Sequence, residues 1–171
     1  MLIWLLCFIV VLFILQPLQH QRHRLHPQLQ HELIHVKQLV QQRTQEDVEF
    51  YRLTYNDVTP VFLKFCRNHG LNCSKIELQQ QIYLVNIKAF CLKYFWGRPR
   101  PWVHDRSLLI QPPSAAESSP SYPSGHAMQA QAIANYLSQK YPKFSRKLNK
   151  LASECGRNRV IMGLHFPSDL F

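Results

Sequence analysis

The chain is poor in acid. Its 171 residues hold 10 Asp and Glu against 20 Lys and Arg, a formal charge of +10. A cation carried into the interior has few carboxylates to meet, and the molecule favours anionic partners: phosphate esters, anionic lipid surfaces or nucleic acid. The basic residues are scattered rather than blocked, and none of the usual nucleic-acid-binding motifs is present, so a nucleic-acid partner is not expected. Glycine is scarce, with five in the chain. No stretch alternates apolar and polar residues at strand period for any length, which leaves an all-α reading. The cysteines, Cys7, Cys66, Cys73, Cys91 and Cys155, form no CxxC pair, which argues against a zinc site and leaves metal ligands at none. Cys66 and Cys73 flank "RNHGLN". A bridge between them in an oxidising compartment and a pair of buried free thiols both fit.

What is present begins with "MLIWLLCFIVVLFILQPLQ", apolar from Met1 to Leu15. Fifteen helical residues reach only about 22 Å, short of a hydrocarbon core of about 30 Å, but counting through Leu18 comes close. A cleaved signal peptide has a basic start and a small-residue cleavage site, and neither is visible. The run is apolar on all faces, so an uncleaved membrane anchor is expected in preference to a buried core helix. Arg22 and Arg24 follow it; two arginines are a weak vote, under the positive-inside rule, for a cytoplasmic flank, and the side of the membrane stays open. The chain therefore reads as 1–18 hydrophobic membrane-anchor helix, 19–45 polar connector and helix, and 46–171 a single helical domain.

Within that domain, Glu46 to Leu53 is a short helical piece. Asn56 or Asp57 caps the next helix, with Pro60 in its first turn and Gly70 after its end. Ser74 and Glu77 form a capping box for a helix running to about Trp96, the most apolar after the anchor and so expected at the centre. Gly97, Pro99 and Pro101 end it, and a long loop covers 97–123; a loop of that length in a compact domain is usually functional or disordered. Two more helices follow, over roughly 125–140 and from about Phe144 onward.

Three features carry chemistry. Helical spacing from Leu148, Leu151, Ala152 and Cys155 lands next on Arg159, an arginine on a buried stripe. A buried guanidinium must meet an anion, either a protein carboxylate or, in a chain short of acids, a bound one. Lys93 stands seven residues before Arg100, whose backbone is fixed by Pro99 and Pro101, a rigidity that suits gripping oxygens in fork geometry. Lys93 alone reads as a solvated cation at a helix end. In "YPSGH", Ser124 and Gly125 open a helix, where free N–H groups and the positive dipole end favour an anion, with His126 beside it. On its own the stretch also reads as a plain N-cap with a surface histidine. Finally, His165 and Asp169 are four apart in "GLHFPSDLF", so the carboxylate can fix the imidazole tautomer and leave the other nitrogen free to attack. Three cations, a helix N-terminus and two histidines are an inventory for phosphoryl transfer without a metal.

The blocks "KYFWGRPRP", "YPSGH" and "RVIMGLHFPSD" resemble, in order and spacing, the tripartite signature of the type 2 phosphatidic acid phosphatase and vanadium haloperoxidase superfamily. The resemblance covers roughly the C-terminal half and looks closest to class A bacterial acid phosphatases. It implies a helical bundle of the acid phosphatase and haloperoxidase type. It also implies that His165 attacks phosphorus to form a phosphohistidine, that Asp169 orients it, and that His126 serves the leaving oxygen and then water. Lys93, Arg100, Ser124, Gly125 and Arg159 would bind phosphate. The expected function is a metal-independent phosphatase for soluble or lipid-linked phosphate monoesters, with no cofactor. The alternatives are a vanadate-dependent haloperoxidase, since vanadate and phosphate are alike in shape, and an inactive anion-binding membrane protein. Two departures stand out. Asn158 occupies the place before the third-block arginine where the family often has Ser. The chain also stops two residues past Asp169, where relatives continue into a helix, so a truncated domain with a loosely held His165–Asp169 turn is expected.

Overall fold

The structure, a computed structural model, describes residues 27–114 and 116–170. The anchor expected over 1–18 lies outside the described residues. Among the described residues, no helix is long and apolar enough to cross a membrane. The helices are α1 (Pro27–Gln41), α2 (Gln45–Leu53), α3 (Thr59–Asn68), α4 (Lys75–Trp96), α5 (Pro101–His104), α6 (Gly125–Lys140) and α7 (Ser145–Ile161). Single 3-10 turns cover Arg106–Leu108, Pro142–Phe144 and Pro167–Asp169. The all-α expectation holds.

Local chemistry sets the boundaries. The Ser74 hydroxyl accepts from Glu77 N at 3.2 Å and Glu77 Oε2 accepts from Ser74 N at 2.7 Å, the reciprocal box that starts α4. Thr44 and Asp47 repeat the device ahead of α2. Asp57 rather than Asn56 serves the start of α3, accepting from Thr59 N at 2.6 Å. At the far end of α4, Gly97 takes φ 58° and returns its N–H to Lys93 O at 2.8 Å, a left-handed cap that glycine adopts without Cβ strain. Within 97–123 the chain forms α5 and a 3-10 turn, and it buries Trp102 and Leu108.

α6 and α7 form the most extensive helix pair. A Cβ placed on Gly156 of α7 would stand 3.4 Å from the Cβ of Ala127 on α6, so small residues set how closely the two approach. α4 packs on α6, α3 against both, and α1 and α2 on α7. The largest apolar cluster joins α3, α4, α6 and α7 through Phe62, Leu78, Ile82, Ile133, Leu137 and Leu148. A second joins α1 to the chain's end through Val36, Leu108, Val160 and Phe166.

The central place expected for α4 belongs to α6. α4 lies at the edge and leaves Tyr83, Leu84, Ile87, Phe90, Phe95 and Trp96 exposed, Leu84 at 72%. Apolar residues run round the whole circumference of α4, so composition selects no buried face. In α6 the alanines at 127, 130 and 134 are slim enough to sit between neighbours on two sides. Cys66 and Cys73 are joined in a disulfide across the turn between α3 and α4, which resolves the choice left open by their spacing.

Candidate active site

The third block is built on a turn that needs glycine. Gly163 follows α7 with φ 74°, and a Cβ there would meet the Leu108 Cβ at 2.8 Å and the Leu108 carbonyl oxygen at 2.9 Å. The chain then enters the Pro167–Asp169 turn with His165 and Asp169 both buried. Asp169 Oδ2 accepts from Phe166 N at 2.9 Å, from His165 Nδ1 at 3.1 Å and from the Ser121 hydroxyl. Ser168 N donates to Glu32 Oε2 of α1 at 3.0 Å, and Asp169 O accepts from Ser124 N at 2.9 Å. Phe166 is fully buried against Val36 and Val160. The loosely held turn expected from the chain's end is not what is found: α1, Ser121 and the N-cap of α6 pin it.

A carboxylate at Nδ1 and a guanidinium at Nε2 define the His165 tautomer. Arg100 Nη1 stands 3.1 Å from Nε2, so Nδ1 carries the proton and Nε2 the lone pair. Burial, with the nearby Arg100 and Lys93 charges, pushes the imidazole down to about 3 despite Asp169. Burial works against the Asp169 anion, but the hydrogen bonds from His165, Ser121 and Phe166 N hold its carboxyl below the usual range.

Arg100 is almost fully buried and its fork is shared among backbone oxygens. Nε donates to Ser119 O at 2.7 Å, Nη1 to Leu164 O at 3.0 Å and Nη2 to Ala116 O at 3.2 Å. Lys93 is not the solvated helix-end cation that it reads as when taken alone. It is buried, and its Nζ donates to Pro120 O at 2.6 Å and Ser121 O at 3.2 Å. Burial and then Arg100 push the Lys93 amine down to about 7.

Arg159 is fully buried on α7, as the stripe implied. It meets no carboxylate directly. Its Nη2 donates to the Thr54 carbonyl and, at 2.8 Å, to the Thr54 hydroxyl, while its guanidinium lies 5.0 Å over the Tyr51 ring. Tyr51 in turn donates to Glu117 at 2.6 Å. Among the described residues none of Lys93, Arg100 and Arg159 forms an ion pair. Three buried cations, Arg100 and Lys93 beside His165 and Arg159 beside His126, without ion-pair partners among the described residues, are a costly arrangement that a shared anion would offset.

Ser124 is the N-cap of α6, its hydroxyl accepting from Ala127 N at 3.4 Å. A Cβ on Gly125 would meet nothing within 4 Å, so the helix end is open to close approach. His126 is half-buried, with Nε2 enclosed and unpartnered among the described residues, as is Nε of Arg159. Burial, then Arg159 and His165, hold the His126 imidazole well below its ordinary value, while the carbonyls of Thr54 and Tyr55 favour its cation. All eight expected site residues thus converge where α4, α6 and α7 meet the long loop. Asn158 faces elsewhere, donating to Asp47 O at 2.9 Å and tying α2 to α7.

Sequence reasoning passed over Arg98, Ser121 and Thr54. Arg98 Nη1 donates to Asp169 Oδ1 at 2.8 Å and to Ser168 Oγ at 2.9 Å. Its only sequence signal is the doubled arginine in "RPRP". Ser121 and Thr54 carry none.

A model of the PAP2 superfamily matches residues 80–171, and the chain belongs to that family. It is 34% identical over 80 residues to a non-specific acid phosphatase of Salmonella typhi, a match covering 46% of this chain and 32% of that protein. A non-specific acid phosphatase of Salmonella typhimurium is 32% identical over the same length and shares. The match spans about a third of the length of these curated relatives. The fold is similar to the crystal structure of a transmembrane PAP2-type phosphatidylglycerolphosphate phosphatase from Bacillus subtilis. That likeness covers 94% of this chain and 86% of that one, with a TM-score of 0.55 and 21% identity.

Proposed function

We propose that the protein is a phosphatase that hydrolyses phosphate monoesters through a phosphohistidine at His165. The observation that carries this reading is the two-sided hold on that imidazole: Asp169 at Nδ1 and the Arg100 guanidinium at Nε2. The Nε2 lone pair attacks phosphorus and the P–O ester bond breaks. His126 delivers a proton to the departing oxygen. Water then attacks phosphorus as His126 takes its proton, the P–Nε2 bond breaks, and His165 returns neutral. Asp169 stabilises the charge the ring carries between the two steps.

Lys93, Arg100, Arg159, the Ser124 hydroxyl and the Gly125 N–H hold the phosphoryl oxygens, so the charge a metal would neutralise is met by side chains and a helix dipole. A phosphoryl dianion among them also raises the His126 pKa, preparing it as the acid. His126 is protonated only on the acid side of its lowered pKa, and His165 stays neutral down to about 3. The rate optimum is therefore expected on the acid side of neutrality. Residues 1–18 anchor the chain in a membrane, which brings lipid-linked esters within reach alongside soluble ones.

The test is a panel of p-nitrophenyl phosphate and phosphatidic acid vesicles, with and without vanadate, on the full chain and on His165→Ala. Hydrolysis, inhibition by vanadate and an alkali-stable, acid-labile phosphoenzyme trapped by base quench are expected, with hydrolysis and phosphoenzyme lost in His165→Ala. Turnover that survives His165→Ala overturns the mechanism, and no hydrolysis of either ester class overturns the activity.

A further inference from the structure

Arg98 stands two residues before Arg100; Arg100 meets the His165 ring and Arg98 the Asp169 carboxylate. The Arg98 guanidinium bonds Asp169 Oδ1 at 2.8 Å and Ser168 Oγ at 2.9 Å, and lies 4.8 Å over the Tyr122 ring. On the other side of the carboxylate, the Ser121 hydroxyl donates to Oδ2. Ser121 is itself fixed at both backbone atoms: its N donates to Arg98 O at 2.7 Å and its O accepts from Lys93 Nζ at 3.2 Å. Asp169 has no exposure, and both of its oxygens are committed. An orienting carboxylate must accept the Nδ1–H of His165 without removing that proton when the ring becomes cationic. Sharing the carboxylate with a guanidinium lowers its basicity and keeps the proton on nitrogen.

We propose that Arg98 and Ser121 are positioning residues for His165: together they aim the Asp169 carboxylate, Ser121 also standing 3.4 Å from Nδ1 of the ring, and Arg98 draws off enough of the carboxylate's charge to leave the Nδ1 proton on the imidazole. This rests on the phosphohistidine reading. The charged and titratable groups facing His165 are Asp169, Arg100, Lys93 and His126. Arg98 is separated from it by the carboxylate. Removing Arg98 leaves a less compensated anion beside the ring. That favours the imidazolium and moves the acid limb of kcat/KM to higher pH.

The experiment compares full-chain wild type with Arg98→Gln, Arg98→Lys and Ser121→Ala. It measures kcat and KM for p-nitrophenyl phosphate against pH, vanadate affinity, and the His165 ring-proton titration by NMR. Arg98→Gln is expected to lower kcat by roughly 10–100-fold, the usual scale for a residue one contact removed from the reacting group, with vanadate affinity little changed. Its acid limb and its NMR titration move upward together, and Arg98→Lys restores most of both. Ser121→Ala lowers kcat with a smaller movement of the limb. An Arg98→Gln profile that superimposes on wild type, or an unmoved His165 titration, overturns the proposal. If Arg98→Gln does not fold, Arg98→Lys and Ser121→Ala decide by the same readouts. Wild type without turnover defeats the phosphohistidine reading alone, because the NMR titration still reports whether Arg98 acts on His165.

Discussion

Two lysines at opposite ends of one packed pair of helices have opposite fates. Lys140, at the end of α6, reaches back to Glu77 in the first turn of α4 at 2.9 Å. Lys93, at the other end of α4, is buried among backbone carbonyls beside Arg100. Glu77 raises the Lys140 amine, whereas burial lowers that of Lys93 to about 7. Lys140 in turn, with the Ser74 N–H and the Tyr136 hydroxyl, brings the Glu77 carboxyl down to about 2. The first arrangement is an ordinary exposed ion pair, screened by salt and weak in consequence. The second lowers stability and is repeated twice nearby, in Arg100 and Arg159. Repeated unfavourable burial of like charge is what the proposed phosphate site would require, since a bound anion would offset it.

The contrast is broken most severely at Arg159. Arg159→Ala is expected to lower kcat/KM by about 10²–10³-fold, the scale of removing one group that stabilises charge developing in the transition state. It should weaken vanadate binding in parallel, measured by displacement under turnover. An unchanged vanadate affinity would place Arg159 in the scaffold only.

The next effect is on the pH dependence of stability at Lys93. Its folded pKa lies below the unfolded value near 10.5, so the unfolded chain holds more protons between about 7 and 10.5. Lys93 therefore opposes folding fully below pH 7, and that opposition fades as pH rises. Lys93→Met should flatten this rise, read as the melting temperature across pH 6 to 10. A wild-type curve with no such slope would contradict the burial of the charge.

The smallest effect is expected at the exposed end. Lys140→Ala should leave both the melting temperature at pH 7 and the kinetic constants within error. Loss of activity there would mean that the two ends of α4 are coupled through the helix.

Much of this was legible because it is local. The box at Ser74 and Glu77, the cap at Ser124, the stripe that ends on Arg159 and the four-residue step from His165 to Asp169 are each written within one or two turns of chain. What escaped depends on approaches over long separations. Arg98 finds Asp169 across 71 positions and Arg159 finds Thr54 across 105, and no periodicity encodes either meeting. The position of α4 escaped for another reason. Its apolar residues surround the helix, so hydrophobicity said that it packs but not which side, and the slimmer α6 took the centre. Taken alone, Lys93 reads as solvated because the end of a helix usually points to solvent, whereas here the chain folds back through Pro120 and Ser121 to cover it.

The bond from Arg100 to the His165 Nε2 has a consequence for the timing of turnover. On the proposed mechanism, the guanidinium that would grip an arriving phosphoryl group rests, beforehand, on the atom that would attack it. Each cycle would then be an exchange of partners: substrate takes the guanidinium from the imidazole, and the imidazole regains it as phosphate departs. Product release is accordingly a competition that the protein enters with a ligand of its own.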